Sequence, residues 1–139
     1  MERLTAKKIM SNVNGKIFDE SRIVDSVYLD PELKAFASAY GKSNQLSLTY
    51  ILARIVEFAV ANKDQLNIDR NKLVDRLSVD GVRTTIRVKR DIYKDFGEYT
   101  KSLKSCNSAF LNMVLSKIYD DDDIQPEFNT AYLEKLLLN

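Results

Sequence analysis

Residues 82–119 read VRTTIRVKRDIYKDFGEYTKSLKSCNSAFLNMVLSKIY, and the pattern of this segment predicts the architecture of the chain. It opens with an alternating pattern, in which Thr84, Ile86 and Val88 are separated by basic or polar residues. Successive side chains of a strand point to opposite faces, so one face of a strand here is mostly apolar and the other is basic and polar. Two amphipathic helices are predicted to follow, with apolar positions Ile92, Phe96, Tyr99 and Leu103 in the first and Phe110, Leu111, Val114, Leu115 and Ile118 in the second. Because so short a strand cannot satisfy its own backbone groups, it needs a partner strand.

A partner strand is available in the same chain, because the pattern occurs twice. With an offset of 59 residues and no gap, the apolar positions of residues 24–61 fall on those of the later segment. Val27 then falls on Ile86, and Leu29 on Val88. The sequence Asp30-Pro31-Glu32 predicts the start of the first helix, with a carboxylate cap followed by proline at the first helical position. Gly41 is expected to end that helix in the left-handed conformation, and Asn44 or Ser47 is expected to cap the next one.

The order of strand, helix and helix with a basic strand face resembles the ribbon-helix-helix family of DNA-binding proteins, the Arc, MetJ and CopG kind. In that family two units pair their strands into an antiparallel ribbon that enters the major groove. The resemblance implies a mainly α fold with a two-stranded antiparallel β-ribbon. The internal repeat makes the chain a tandem ribbon-helix-helix pseudo-dimer, similar in layout to the TraY-type accessory proteins of conjugative plasmid relaxosomes.

This resemblance divides the chain into five segments. They are a basic N-terminal arm at 1–22, a first ribbon-helix-helix unit at 23–61, a connector with a short helix at 62–81, a second unit at 82–119, and an acidic linker with a C-terminal helix at 120–139. Residues 23–119 are expected to form one compact domain. Two readings are open for the arm, a solvated terminus or a contact with phosphates or the minor groove. The C-terminal helix is also open to two readings, a lid on the core or a docking helix for a partner or a second copy.

Composition narrows the class of protein. The chain has no histidine and a single cysteine, Cys106, which disfavours histidine-based catalysis and metal sites and excludes an internal disulfide. No apolar run approaches the roughly 20 residues that span a bilayer, and the N-terminus lacks a secretory signal. We therefore expect a cytoplasmic protein of a bacterial, archaeal or virus-infected cell, without enzymatic activity, cofactor, metal or membrane contact. The net charge of the chain is only +1, but its charges are unevenly distributed along the sequence. Residues 82–119 carry eight basic and three acidic residues.

The resemblance implies that strand residues facing away from the core read base edges. In the second unit these are Arg83, Thr85 and Arg87, because Ile86 and Val88 point inward. Arginine can bond guanine through two hydrogen bonds, and threonine can bond base edges or touch a thymine methyl. The matching positions of the first unit that we expect to contact bases are Ser26 and Tyr28. Neither is charged, which implies an asymmetric ribbon.

The family also binds phosphate at the N-terminus of the second helix, where free backbone N–H groups meet the helix dipole. Ser105 is expected to cap this helix in the second unit. The expected phosphate contacts are Lys104, Ser105, Cys106 and Asn107 in the second unit, Lys42, Ser43 and Asn44 in the first, and Lys89, Arg90 and Lys94 around the second strand.

The function predicted from the sequence is sequence-specific binding of double-stranded DNA, as a transcriptional repressor or a plasmid nicking-site or partition accessory factor. Self-association along DNA is a further expectation. The alternative is an antitoxin-like or other protein-interaction module that holds a protein partner through residues 120–139.

Overall fold

The computed structural model describes residues 22–73, 81–121 and 128–138. This part of the chain consists mainly of five α-helices and a two-stranded antiparallel sheet, which confirms the predicted mainly α class. The elements in chain order are β1 (Arg22–Leu29), α1 (Pro31–Ser43), α2 (Leu48–Ala61), a 3₁₀ turn (Arg70–Lys72), β2 (Val82–Lys89), α3 (Arg90–Ser102), α4 (Asn107–Asp120) and α5 (Thr130–Leu137).

The two strands come from opposite halves of the chain and pair along their whole length. Ser26 lies opposite Thr85 near the middle, and Arg22 lies opposite Lys89 at one end. The strands begin at Arg22 and Val82, two residues before the alternating patterns, because cross-strand pairing continues to both ends of the ladder. Val27 and Leu29 of β1 and Ile86 and Val88 of β2 are buried, as the alternation predicts.

Helices α1 and α3 leave the strands directly but begin differently. Asp30 caps α1 as predicted, since its Oδ1 accepts hydrogen bonds from the backbone N–H groups of Glu32 at 2.9 Å and Leu33 at 3.3 Å. Lys89 occupies the N-cap position of α3 and makes no side-chain capping bond. The first unit therefore has the better capped first helix.

The α1–α2 turn corrects the prediction for Gly41. Gly41 is a buried residue within α1, and the left-handed residue is Gln45, with a φ of 60°. Gly41 is required here by close approach, because its C=O accepts from Leu46 N–H at 2.7 Å and a Cβ at Gly41 would lie 2.5 Å from the Leu46 carbonyl oxygen. The carbonyl belongs to the backbone and cannot rotate away like a side chain.

Replacing Gly41 with alanine is therefore expected to lower the free energy of unfolding by about 1–3 kcal/mol, as for other overpacked sites. Gly97 in α3 is the matched control, because a Cβ there meets no atom of the described residues within 4 Å. Gly97→Ala should raise the free energy of unfolding by about 0.5–1 kcal/mol through helix propensity. Urea denaturation followed by circular dichroism measures both, and a stabilising Gly41→Ala would contradict the close approach.

Helices α2 and α4 form the centre of the core. Ser47 caps α2 by accepting from Tyr50 N–H at 3.0 Å, whereas Asn44 lies at the C-terminal end of α1. The prediction that Ser105 caps α4 is wrong, because the left-handed residue Lys104 turns the chain and leaves Cys106 at the N-cap position without a side-chain bond. The fully buried side chains of the two helices include Ile51, Leu52, Ile55, Phe110, Leu111 and Leu115.

The helices of the two halves correspond at an offset of 59 residues. Helices α1 and α3 begin and end at corresponding positions, and so do α2 and α4. The two left-handed residues, Gln45 and Lys104, also correspond. In the ribbon register, Ser26 lies opposite its own counterpart, Thr85. The correspondence therefore covers backbone geometry as well as the apolar pattern.

The C-terminal helix is part of the core. Asn129 caps α5 by accepting from Tyr132 N–H at 3.0 Å, and Tyr132, Leu133 and Leu137 are buried. The connector is tied to the end of this helix, since Asn67 N–H donates to the Leu137 carbonyl at 2.8 Å. The apolar side of α5 is thus already covered within the chain.

Several predicted segments are shorter in the structure or fall outside it. The connector helix is a three-residue 3₁₀ turn capped by Asp69, which accepts from Asn71 N–H at 3.0 Å. Arg22, placed in the arm by the sequence, belongs to β1, and the rest of the arm lies outside the described residues. Residues 74–80 of the connector and 122–127 of the acidic linker also lie outside them. Among the helices that are described, none has the length and hydrophobicity to cross a bilayer.

Candidate nucleic-acid interface

The outer face of the ribbon carries all five residues predicted to contact bases. The side chains on this face form four cross-strand pairs, which are Arg22–Lys89, Val24–Arg87, Ser26–Thr85 and Tyr28–Arg83. Arg83, Thr85 and Tyr28 are exposed, whereas Ser26 and Arg87 are half-buried. Val24 is 60% exposed, an unusual value for a valine in the middle of a paired strand. This face therefore presents guanidinium, hydroxyl and apolar groups together.

Arg83 is held in place across the ribbon. Its Nε donates to Ser26 Oγ at 2.8 Å, and Lys34 Nζ donates to the Arg83 carbonyl at 3.3 Å. The bond to Ser26 uses Nε and leaves the two terminal nitrogens, which can form the paired donor geometry that guanine accepts. Ser26 thus acts as a support for Arg83 in addition to any contact of its own.

Arg87 has a different environment from Arg83. Its Nε is buried and makes no hydrogen bond to any residue in the described ranges. It lies in a cleft of about 440 Å³ at the N-terminus of α2. The lining residues are Arg22, Ser47, Thr49, Tyr50, Ala53, Arg54, Glu57 and Arg87. We call this space the arginine cleft.

The arginine cleft contains residues that the sequence did not single out. The sequence places Arg22 in the N-terminal arm, and Arg54 lies among apolar neighbours on α2. Arg54 Nη1 donates to Glu57 Oε1 at 2.8 Å, and its Nη2 donates to Thr130 Oγ1 at 2.9 Å. Arg22 could have been identified from the sequence if the first strand had been predicted to begin two residues earlier. No sequence pattern connects Arg54 with Arg87, a strand residue of the other half.

A second groove, of about 460 Å³, lies at the opposite end of the ribbon, at the N-terminus of α4. The polar groups here are used within the protein. Ser108 Oγ accepts from Tyr28 N–H at 2.9 Å, and Thr100 Oγ1 donates to Asn107 Oδ1 at 2.8 Å. Ser105, Cys106 and Asn107, three predicted phosphate contacts, all line this groove, which we call the α4 groove.

Tyr93 lines the α4 groove with a perturbed hydroxyl. Burial raises the pKa of Tyr93, and a hydrogen bond to Asp25 adds to the rise, while a hydrogen bond to Asn107 opposes it. The tyrosine therefore stays protonated through the physiological range, and it provides no negative charge to repel an anion.

The other predicted phosphate contacts are spread over three positions. Lys89, Arg90 and Lys94 are exposed at the end of β2 and on the first turns of α3. Lys104 is exposed in the turn before α4. Lys42 and Ser43 are exposed at the end of α1, whereas Asn44 is half-buried and its Nδ2 donates to the Tyr40 carbonyl at 2.9 Å. Among the residues that the structure describes, no three His, Cys, Asp or Glu side chains are grouped to hold a metal ion.

Comparison with known proteins identifies no relative of this chain. No protein-family profile matches the chain, and no curated protein or solved structure matches it.

Proposed function

We propose that the chain is a sequence-specific, non-catalytic protein that binds double-stranded DNA by inserting the β1–β2 ribbon into the major groove. In this proposal the chain is a tandem ribbon-helix-helix pseudo-dimer that acts as a transcriptional repressor or as an accessory factor of a plasmid relaxosome or partition complex. Arg83, Thr85 and Arg87 contact bases, with Ser26 and Tyr28 beside them.

The observation that carries the proposal is the outer face of the ribbon. A two-stranded ribbon fits the major groove, which is about 12 Å wide. Arg83 and Thr85 are exposed on that face, and Ile86 and Val88 are buried on the other. Stability explains the buried side chains, but it does not explain an exposed row of arginine, threonine and valine.

The 59-residue correspondence supports the tandem arrangement. If the halves are related by a two-fold axis, an antiparallel pair of strands brings counterpart residues face to face only at the axis. Ser26 and Thr85 are such a pair, and they lie near the centre of the ribbon. The two helix N-termini at Ser47 and Cys106 then lie at opposite ends of the ribbon, where phosphates would flank a groove.

Selection of bound sequences from random double-stranded DNA, followed by footprinting, tests the proposal. We expect enrichment of one sequence, a footprint protected in the major groove, and binding that weakens steeply with salt. Lys63→Gln serves as a control, because Lys63 is exposed in the turn after α2, at the far end of that helix from Ser47. It should bind as the unchanged chain does. Absence of both enrichment and a mobility shift at low salt would exclude the proposal.

A further inference from the structure

We infer that Asn112 of α4 is a positioning residue for base recognition, an inference that rests on the proposed function. Its side-chain amide fixes the end of the ribbon that carries Tyr28 and Arg83. Asn112 itself contacts no base and acts through the strand that it holds.

The side chain of Asn112 joins α4 to the point where β1 ends and α1 begins. Its Oδ1 accepts from Asp30 N–H at 2.7 Å, and its Nδ2 donates to the Tyr28 carbonyl at 3.0 Å. The same Nδ2 donates to the Ser108 carbonyl, one turn earlier on α4, at 2.8 Å. Both donor positions of the amide therefore have partners within the protein, and none is left for a base or a phosphate.

Ser108 holds the same strand end, because its Oγ accepts from Tyr28 N–H at 2.9 Å. The outer edge of a strand presents backbone groups that have no ladder partner. Here the N–H and the carbonyl of Tyr28 are both bonded by side chains of α4. We call the bonds from Ser108 and Asn112 to Tyr28 and Asp30 the α4 clamp. The clamp fixes the backbone from which the exposed Tyr28 side chain projects.

The α4 clamp reaches Arg83 by two routes. Arg83 lies directly opposite Tyr28 in the ribbon. Asp30, held by Asn112, also caps α1, and its carbonyl accepts from Lys34 N–H at 2.8 Å. Lys34 Nζ in turn donates to the Arg83 carbonyl at 3.3 Å. The position of Arg83 thus depends on the clamped junction, and a group held in place before DNA binds loses less conformational freedom on binding.

The other half of the chain has alanine at the position of Asn112. At the offset of 59 this residue is Ala53, whose methyl group can neither donate nor accept a hydrogen bond. Arg87 and Lys89, the counterparts of Tyr28 and Asp30, therefore receive no amide from this helix position. The fold already accommodates alanine here once, so Asn112→Ala is expected to fold.

Asn112→Ala is expected to weaken binding to the selected DNA about 3- to 10-fold, the size of one lost hydrogen bond. Affinity for unrelated DNA and the slope of log affinity against log salt should stay unchanged, because no phosphate contact is removed. Equal loss on selected and unrelated DNA, or no loss on either, would overturn the inference.

Asn62→Ala is the matched control for Asn112→Ala. Asn62 is also half-buried, and its Nδ2 donates to the carbonyl of the residue four positions earlier, Phe58, at 3.0 Å. It lies at the far end of α2 from Ser47. This variant should lose a bond of the same kind and keep both DNA affinities. A loss on selected DNA equal to that of Asn112→Ala would show a general effect on stability and overturn the positioning role.

A double substitution tests whether Asn112 acts through Arg83. In the Arg83→Ala chain, Asn112→Ala should weaken binding to the selected DNA by less than 2-fold, because the contact that the clamp positions is already absent. A further loss as large as in the unchanged chain would mean that the two residues act independently, contrary to the inference.

Amide hydrogen exchange without DNA separates the clamp from the proposed function. Asn112→Ala should speed exchange at Asp30 N–H relative to the amides of the core, since that N–H loses its acceptor. Unchanged exchange at Asp30 would overturn the clamp whether or not the chain binds DNA. Faster exchange in a chain that binds no DNA would leave the clamp intact, but it would overturn the proposed function and with it the role of Asn112 in base recognition.

Discussion

Arg83→Ala is expected to weaken binding to the selected DNA sequence about 5- to 150-fold, which corresponds to the roughly 1–3 kcal/mol that one bidentate arginine–guanine contact contributes to discrimination. Arg83 is exposed at the ribbon surface, and its Nε bond to Ser26 Oγ at 2.8 Å holds the guanidinium across the strands. An arginine fixed in this way loses little conformational freedom when it meets a base edge. Binding to unrelated DNA should change much less, because that binding depends on charge.

Arg83→Lys separates the two contributions. Lysine keeps the charge but lacks the planar pair of donors, so the salt dependence should persist while preference for the selected sequence falls. Competition binding against single-base variants of the selected DNA measures the preference. If Arg83→Ala weakened binding to selected and unrelated DNA by the same factor, Arg83 would be a phosphate contact and not a reader of bases.

Leu133→Ala is expected to lower the free energy of unfolding by about 2–5 kcal/mol, the usual range for removing a fully buried leucine. Leu133 is 0% exposed and belongs to the same hydrophobic core as the side chains of α2 and α4. Helix α5 also contacts α2 directly. The substitution therefore opens a cavity inside the domain and does not merely loosen its end.

Leu136→Ala is the matched control for Leu133→Ala. Leu136 lies on the same helix but is half-buried at the edge of the core, so its replacement should cost markedly less. Guanidinium denaturation of the full chain compares the two, and an equal or smaller loss from Leu133→Ala would contradict the packing of α5.

The burial of α5 also affects how the alternative function, a docking helix for a partner, can be tested. Truncation after Tyr119 would remove core side chains, so a partner surface on α5 is better tested at exposed residues such as Glu134 and Lys135.

Short-range patterns in the sequence were sufficient to predict the two strands, the five α-helices and the faces of the ribbon. Alternation placed Ile86 and Val88 inside and Arg83 and Thr85 outside, and Asp30 was identified as a helix cap from its neighbours alone. The offset of 59 residues predicted which segments correspond. Each of these inferences depends on residues that are near one another in the chain or in a regular pattern.

The features that sequence reasoning missed depend on contacts between distant residues. The arginine cleft brings Arg87 of one half beside Arg22 and Arg54 of the other, and this follows from strand register and helix packing together. Gly41 is required by a carbonyl group five residues later, not by its own φ. The cap position of α4 shifted to Cys106 because Lys104, a residue with no usual preference for the left-handed region, makes the turn.

The pairing of β1 with β2 inside one polypeptide has a consequence for behaviour at low abundance. When a ribbon is assembled from separate molecules, dilution dissociates it, and its stability depends on protein concentration by mass action. Here the covalent connection supplies the second strand at a fixed effective concentration. A few copies in a cell would therefore carry a complete ribbon, and each half is free to diverge without having to match an identical copy of itself.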